Sequence, residues 1–199
     1  FGVKVFLPSN LKEAGVGLKL VYQQLARYQM HAKAHGETAN MPAILDSYTS
    51  KINFVKLADV AGEYKSSSNS MSVNGLAIDI VKKALGHELT HANDKKGLKE
   101  FPAGFNPKQY KQEFANAGLT FERFLYACSS PREFIAVASE GSISKYSEGF
   151  KKILKEFGMP EWMFEMDRAL TSEEQKKLDG NLRLFNAVFK DIEKVGSAD

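Results

Sequence analysis

The sequence predicts an α+β fold, with strands in its first part and helices in the rest. Three observations predict it. Short apolar runs of strand length stand only before residue 76. From Leu76 onward apolar residues recur at three- and four-residue steps. That pattern is broken at Gly118, Ser129-Ser130-Pro131, Gly141, Gly158-Met159-Pro160 and Ser172, which marks a series of separate helices. Strands and helices segregated along the chain favour α+β over an alternating parallel architecture.

Taken in order, Val3 to Leu7 reads as a short apolar strand closed by Pro8. Ser9 or Asn10 then opens a helix, because Leu11, Ala14, Leu18, Val21, Tyr22, Leu25 and Tyr28 share one face; it fades near His35-Gly36. A loop with Asn40 and Pro42 leads to a second strand over Ile52 to Leu57. The stretch from Tyr64 to Asn74 is rich in Ser, Lys and Asn, which suits an exposed edge strand better than the middle of a sheet. Leu76 to Asn93 is a helix, and Gly97 to Pro107 a loop that is a candidate lining for a binding cleft.

The 199 residues fit one domain, divided into a strand-and-helix part over 1–75 and a helical part over 76–199. A hydrophobic fraction of 43% and a charged fraction of 26% exclude a wholly disordered chain. No apolar run approaches the length of a membrane span. The net charge is only +3, with lysines scattered and no basic stripe interleaved with aromatics, so no nucleic-acid partner is expected. Cys128 is the single cysteine, which excludes an internal disulfide framework and a Cys-rich zinc module. The first residue is Phe1, not Met, which reads as a processed form or an excised domain.

The chemistry concentrates in Leu85-Gly86-His87-Glu88-Leu89-Thr90-His91-Ala92-Asn93-Asp94. Four residues apart on a helix, His87 and His91 leave the same face and can share one tetrahedral zinc at about 2.0–2.1 Å. Glu88 lies on the flank, where it reaches a water without becoming a ligand; two ligands plus a general base is the His-Glu-x-x-His arrangement. The flanking Leu76, Ile78, Ile80, Val81, Ala84 and Leu85 make the helix apolar and therefore buried. Two imidazoles and a carboxylate on a buried helix are costly unless they serve a purpose. His31 and His35 have the same spacing but no following glutamate, and read as solvated surface residues.

A catalytic zinc needs a third protein ligand. Cys128 is disfavoured, since a thiolate is unusual with this motif. Asp94 is better placed to accept the second N–H of a ligating histidine. Glu113, Glu122, Glu133 and Glu140 remain as candidates. Ser130-Pro131-Arg132-Glu133 is also a helix-capping box, so a structural use competes for the Glu133 carboxylate. The Met159-to-Phe164 patch reads as core.

Tyr126-Ala127-Cys128-Ser129-Ser130-Pro131-Arg132-Glu133-Phe134-Ile135-Ala136 resembles the second signature of the anthrax lethal factor-like metalloproteases. These are gluzincins and include the clostridial Pro-Pro endopeptidases. Their second signature pairs a tyrosine with a glutamate seven residues on; their first places an aspartate three residues after the second histidine, where Asp94 stands. The resemblance spans roughly Leu76 to Phe157. It implies Glu133 as third zinc ligand and Tyr126 as transition-state stabiliser. It further implies a zincin-like domain: a small mixed sheet with an edge strand over the active-site helix, then a mostly helical C-terminal half. Val137 departs from the family, which often has a second glutamate there; Glu140 lies one turn further on nearly the same face.

The resulting expectation is a zinc endopeptidase with one Zn2+ per chain, held by His87, His91 and Glu133. Glu88 is the general base that works on a zinc-activated water, and Tyr126 donates to the developing oxyanion. The partner is a protein or peptide substrate, extended along the edge strand. By the resemblance, the chain is an exported bacterial toxin or effector, secreted or delivered into a target cell. The competing readings are an intracellular or virion-associated processing protease and an inactive zincin-like binding domain.

Overall fold

The structure is a computed structural model that describes residues 4–6, 11–37, 51–54, 62–65, 67, 70–73, 78–180 and 183, with side chains for 23–37, 67, 83–180 and 183. In chain order it runs β1 (Lys4–Phe6), α1 (Leu11–Ala34), β2 (Lys51–Phe54), β3 (Gly62–Lys65), β4 (Ser70–Val73), α2 (Ile78–Asn93), α3 (Lys111–Asn116), α4 (Phe121–Ala127), α5 (Pro131–Ala138) and α6 (Glu148–Phe157). Short 3-10 turns occupy Pro107–Tyr110, Ile143–Lys145 and Glu161–Glu165, and residues 172–180 are helical.

The expected fold class, an α+β zincin-like domain built on a sheet, is corrected. Over the residues with described side chains, 66% are helical, 3-10 turns included, and none belongs to a strand. The core and the candidate site are thus made by helices. Four segments of three or four residues pair as backbone in the order β1-β2-β4-β3 and add no described side chain to either. The physical reason lies in length. Short apolar runs such as Val3 to Leu7 carry a strand pattern but little surface to bury, whereas the later helices carry whole apolar faces.

The reading of Tyr64 to Asn74 as one edge strand is corrected as well. The chain turns back within it: β3 and β4 pair antiparallel, Gly62 opposite Val73 and Lys65 opposite Ser70, and β4 lies between β3 and β2. With no strand side chain described, the expected docking of an extended peptide on that edge has no support in the structure and is set aside. The expected strand residues Ile52 to Leu57 are described only as far as Phe54, and Leu76 lies outside the described residues.

The core forms where α2 meets α1 and α5. Leu25, Tyr28 and Ala32 of α1, Leu85 and Leu89 of α2, and Phe134, Ile135 and Val137 of α5 are buried together with Phe114, Phe124, Leu154, Trp162 and Met163. Residues 84–90 are buried without a break, so α2 is enclosed on every side at that point. Gly86 permits this: a Cβ there would stand 2.9 Å from the Tyr28 hydroxyl, inside van der Waals contact. The Met159-to-Phe164 patch is core, with Trp162 edge-on to Tyr28 at 5.7 Å. The Gly97-to-Pro107 stretch is irregular but is pinned inward: the rings of Phe101 and Phe105 pack on Phe134 and Phe157. No helix among the described residues is long and apolar enough to cross a membrane.

Candidate metal centre

Two local structures bring the site together. The first is the period of α2, which puts His87 and His91 one turn apart on one face; their rings meet edge-on, 4.7 Å between centroids. The second is the turn between α4 and α5. Thr120 caps α4 by accepting from Arg123 N–H at 3.3 Å. After Cys128 and Ser129 the chain restarts as α5, with Ser130 as N-cap and Pro131 in the first turn. This leaves Glu133 in the first turn of a helix packed on α2, where the helix dipole favours a carboxylate.

The conflict over Glu133 resolves by division of the residue. Its backbone N–H donates to Ser130 Oγ at 3.2 Å, so the cap is made. Its side chain goes to the histidines instead of turning back on Ser130. Oε2 lies 3.1 Å from His87 Nε2, and Oε1 lies 3.3 Å from His91 Nε2. The two Nε2 atoms are 3.1 Å apart.

These separations test whether the residues fit a metal. Ligand atoms around a tetrahedral ion at 2.0–2.1 Å would be about 3.3–3.4 Å from one another. The two Nε2 atoms match that edge to within a few tenths of an ångström, each faces a different Glu133 oxygen at a similar distance, and one ligand atom from each of the three residues lies within 4.8 Å of the other two. Glu133 Oε2 is also buried without a hydrogen-bond partner, although an imidazole nitrogen is 3.1 Å away. Among the described residues, this is the group of three that could hold a metal ion. The donor set, two imidazoles and a carboxylate, is the one zinc takes when a fourth position stays open.

The surroundings are polarised to suit. His87 is 6% exposed. Burial pulls its pKa down, but the carboxylates of Glu133 and Glu140, one facing each ring nitrogen, outweigh that and bring it to about 9. Burial alone would raise Glu133, yet the two histidines hold its carboxyl far below the usual carboxylate range. Glu88 is buried too, at 6%, and its charge is felt by both His87 and Tyr126.

Tyr126 is not a core residue. It is 45% exposed, at the end of α4, with its ring stacked on His87 at 6.1 Å. Partial burial and then the neighbouring Glu133 carboxylate push its hydroxyl up to about 12, so it is a proton donor at neutral pH.

The other candidates separate clearly. Glu140, just beyond α5, accepts from His87 Nδ1 at 2.7 Å and takes the outer supporting place. Asp94, expected in that role, makes no hydrogen bond to a histidine: its Oδ1 accepts from Lys96 and Gly97 N–H at 2.9 Å each, closing the turn after α2, while its Oδ2 and His91 Nδ1 are both buried without a hydrogen-bond partner. The turn is docked by Lys95 N–H on the carbonyl of Gly158, whose φ of 116° ends α6 in the left-handed region. Glu113 serves as an acceptor for Ser147 at the start of α6. Glu122 is exposed in the first turn of α4. Cys128 is half-buried against the core.

His31 is corrected, whereas His35 lies at the surface as expected. His31 is fully buried, its Nδ1 3.4 Å from Arg168, while His35 Nε2 pairs with Glu165 Oε1 at 2.7 Å. They tie the end of α1 to the chain after α6. The residue that sequence reasoning missed is Arg123, which pairs with Glu140 and lies over the Tyr126 ring at 4.9 Å. Its signal was present: three residues before Tyr126, it shares that helix face.

Glu133→Ala is expected to weaken zinc binding more than Glu140→Ala, which should cost about 10–100-fold, and Asp94→Ala should leave it nearly unchanged. Zinc dissociation constants of the three variants check this. If Glu140→Ala sheds the metal and Glu133→Ala keeps it, Glu133 is a cap alone.

Comparison with family models, with curated proteins and with solved structures returns no match.

Proposed function

We propose that this chain is a zinc-dependent endopeptidase. The observation that carries the reading is the gathering of His87 Nε2, His91 Nε2 and the two Glu133 carboxylate oxygens, with neighbouring atoms 3.1–3.3 Å apart and Glu88 and the Tyr126 hydroxyl beside them. When bound there, zinc supplies Lewis acidity, which makes water nucleophilic near neutral pH and polarises a carbonyl. The residues of the chain do the rest. Glu140 holds the proton on His87 Nδ1, so that Nε2 keeps its lone pair. Glu88 takes a proton from the attacking water and returns it to the leaving amine. Tyr126 stabilises the oxygen on which charge develops. Half-exposure of Tyr126 favours catalysis at an open surface, as a polypeptide substrate needs. The intact His87, Glu88 and His91 trio argues against an inactive binding domain. An exported protease acting on a host or competitor protein is the setting that the resemblance to lethal factor-like enzymes implies.

The test joins composition to activity. Protein purified without chelator should carry about one zinc per chain and cleave an unfolded polypeptide; chelation should stop cleavage and added zinc restore it. Zinc binding should also depend on pH with a defined sign. Below a pKa of about 9 the metal-free His87 is protonated, and zinc must displace that proton. Affinity should therefore rise about tenfold per pH unit from neutrality and level off near pH 9. Zinc-free protein that stays empty when zinc is supplied would remove the reading.

A further inference from the structure

We propose that Arg123 is a positioning residue for the metal centre: it fixes the carboxylate that decides which nitrogen His87 turns toward Glu133 and His91. The inference rests on the zinc reading above. Arg123 Nε donates to Glu140 Oε2 at 3.0 Å, and its Nη2 donates to Oε1. Oε1 is also the acceptor for His87 Nδ1 at 2.7 Å. Nη2 approaches His87 Nδ1 to 3.5 Å, so two donors are gathered on a single oxygen.

Glu140 needs this partner. Its side chain is 7% exposed, whereas that of Arg123 is 39% exposed. A buried carboxylate with only an imidazole beside it would turn toward water or any other donor. Two parallel N–H donors from one planar group fix both its oxygens and the plane of the carboxylate. With Oε1 so fixed, His87 keeps its proton on Nδ1 and presents Nε2 to Glu133 and His91.

The same guanidinium has a second use. Its carbon lies 4.9 Å from the Tyr126 ring centroid, within cation–π range, and that ring stacks on His87. Arg123, Glu140, His87 and Tyr126 therefore form a closed circuit. A lysine would supply the charge but neither the fork nor the flat face.

The test uses the full chain, with zinc as the probe, in wild type, Arg123→Ala and Arg123→Lys. Zinc dissociation constants, melting temperatures and the His87 Nδ1–H proton resonance of the zinc-loaded protein are measured together. Arg123→Ala should weaken zinc about 10–100-fold and lose the Nδ1–H resonance to solvent exchange, with melting little changed. Arg123→Lys should fall between Arg123→Ala and wild type. Unchanged affinity and an intact resonance in both variants would overturn the proposal. If Arg123→Ala does not fold, the lysine variant decides alone: weaker zinc supports the role, wild-type affinity overturns it. A wild type that binds no zinc would instead sink the zinc reading, a result distinct from equal binding by wild type and variants.

Discussion

Glu88→Gln is expected to reduce turnover by about 10²–10⁴-fold while the zinc content stays at that of wild type. The argument is positional. Glu88 follows His87 on a helix, so it cannot share the ligand face of His87 and His91. It is absent from the group whose atoms converge, yet its charge reaches both His87 and Tyr126. It is also 6% exposed, so it acts from an enclosed position on the same helix as the two histidines. Glutamine preserves volume and most hydrogen bonding but cannot accept a proton, so the substitution separates basicity from packing. Steady-state kcat and elemental zinc on the same preparation check it. Wild-type turnover would mean that another group is the base; loss of zinc would mean that Glu88 supports the metal.

The candidate site was legible where the sequence carried a period. His87, Glu88 and His91 follow from helical geometry alone, and α2 delivers that geometry. Glu133 was ambiguous because a cap and a ligand call for the same residue at the same position; only the direction of the carboxylate separates the two. The supporting roles of Asp94 and Glu140 were left open by the sequence for a related reason. Asp94 is close to the histidines in sequence, but its oxygen is captured by the N–H groups of the turn it begins. Glu140 is far in sequence and is brought back by α5 packing on α2. Local hydrogen bonding decided one, and tertiary packing the other.

The fold class was less legible. Apolar runs such as Val3 to Leu7 satisfy a strand pattern as readily as they would a buried turn of helix, and periodicity over five residues does not weigh how much core each contributes. The core belongs to helices whose faces carry Phe114, Phe134, Leu154 and Trp162. His31 was misread by the same limit. Its helix end is polar in sequence, but Arg168 and Glu165 arrive from more than 130 residues away and enclose it.

Tyr126→Phe is expected to lower kcat by roughly 10²–10³, the worth of a single preorganised donor to an oxyanion. Zinc content, melting temperature and KM should stay near wild type. Three observations make the hydroxyl, not the ring, the active part. The ring is 45% exposed, so removing an oxygen leaves no buried cavity. Ring stacking on His87 and under the Arg123 guanidinium survives in phenylalanine, which keeps the helix end in place. The hydroxyl pKa is held near 12 by burial and the Glu133 carboxylate, so the group keeps its proton at neutral pH and can donate it as a hydrogen bond. A phenol matters to rate only when its acceptor gains charge on the way to the transition state, so the loss should fall on kcat and spare substrate binding. Single-turnover and steady-state rates, with zinc measured in parallel, read this directly. If kcat is unchanged, the seven-residue spacing from Tyr126 to Glu133 reflects only how the α4–α5 turn is built, and the oxyanion needs a different donor.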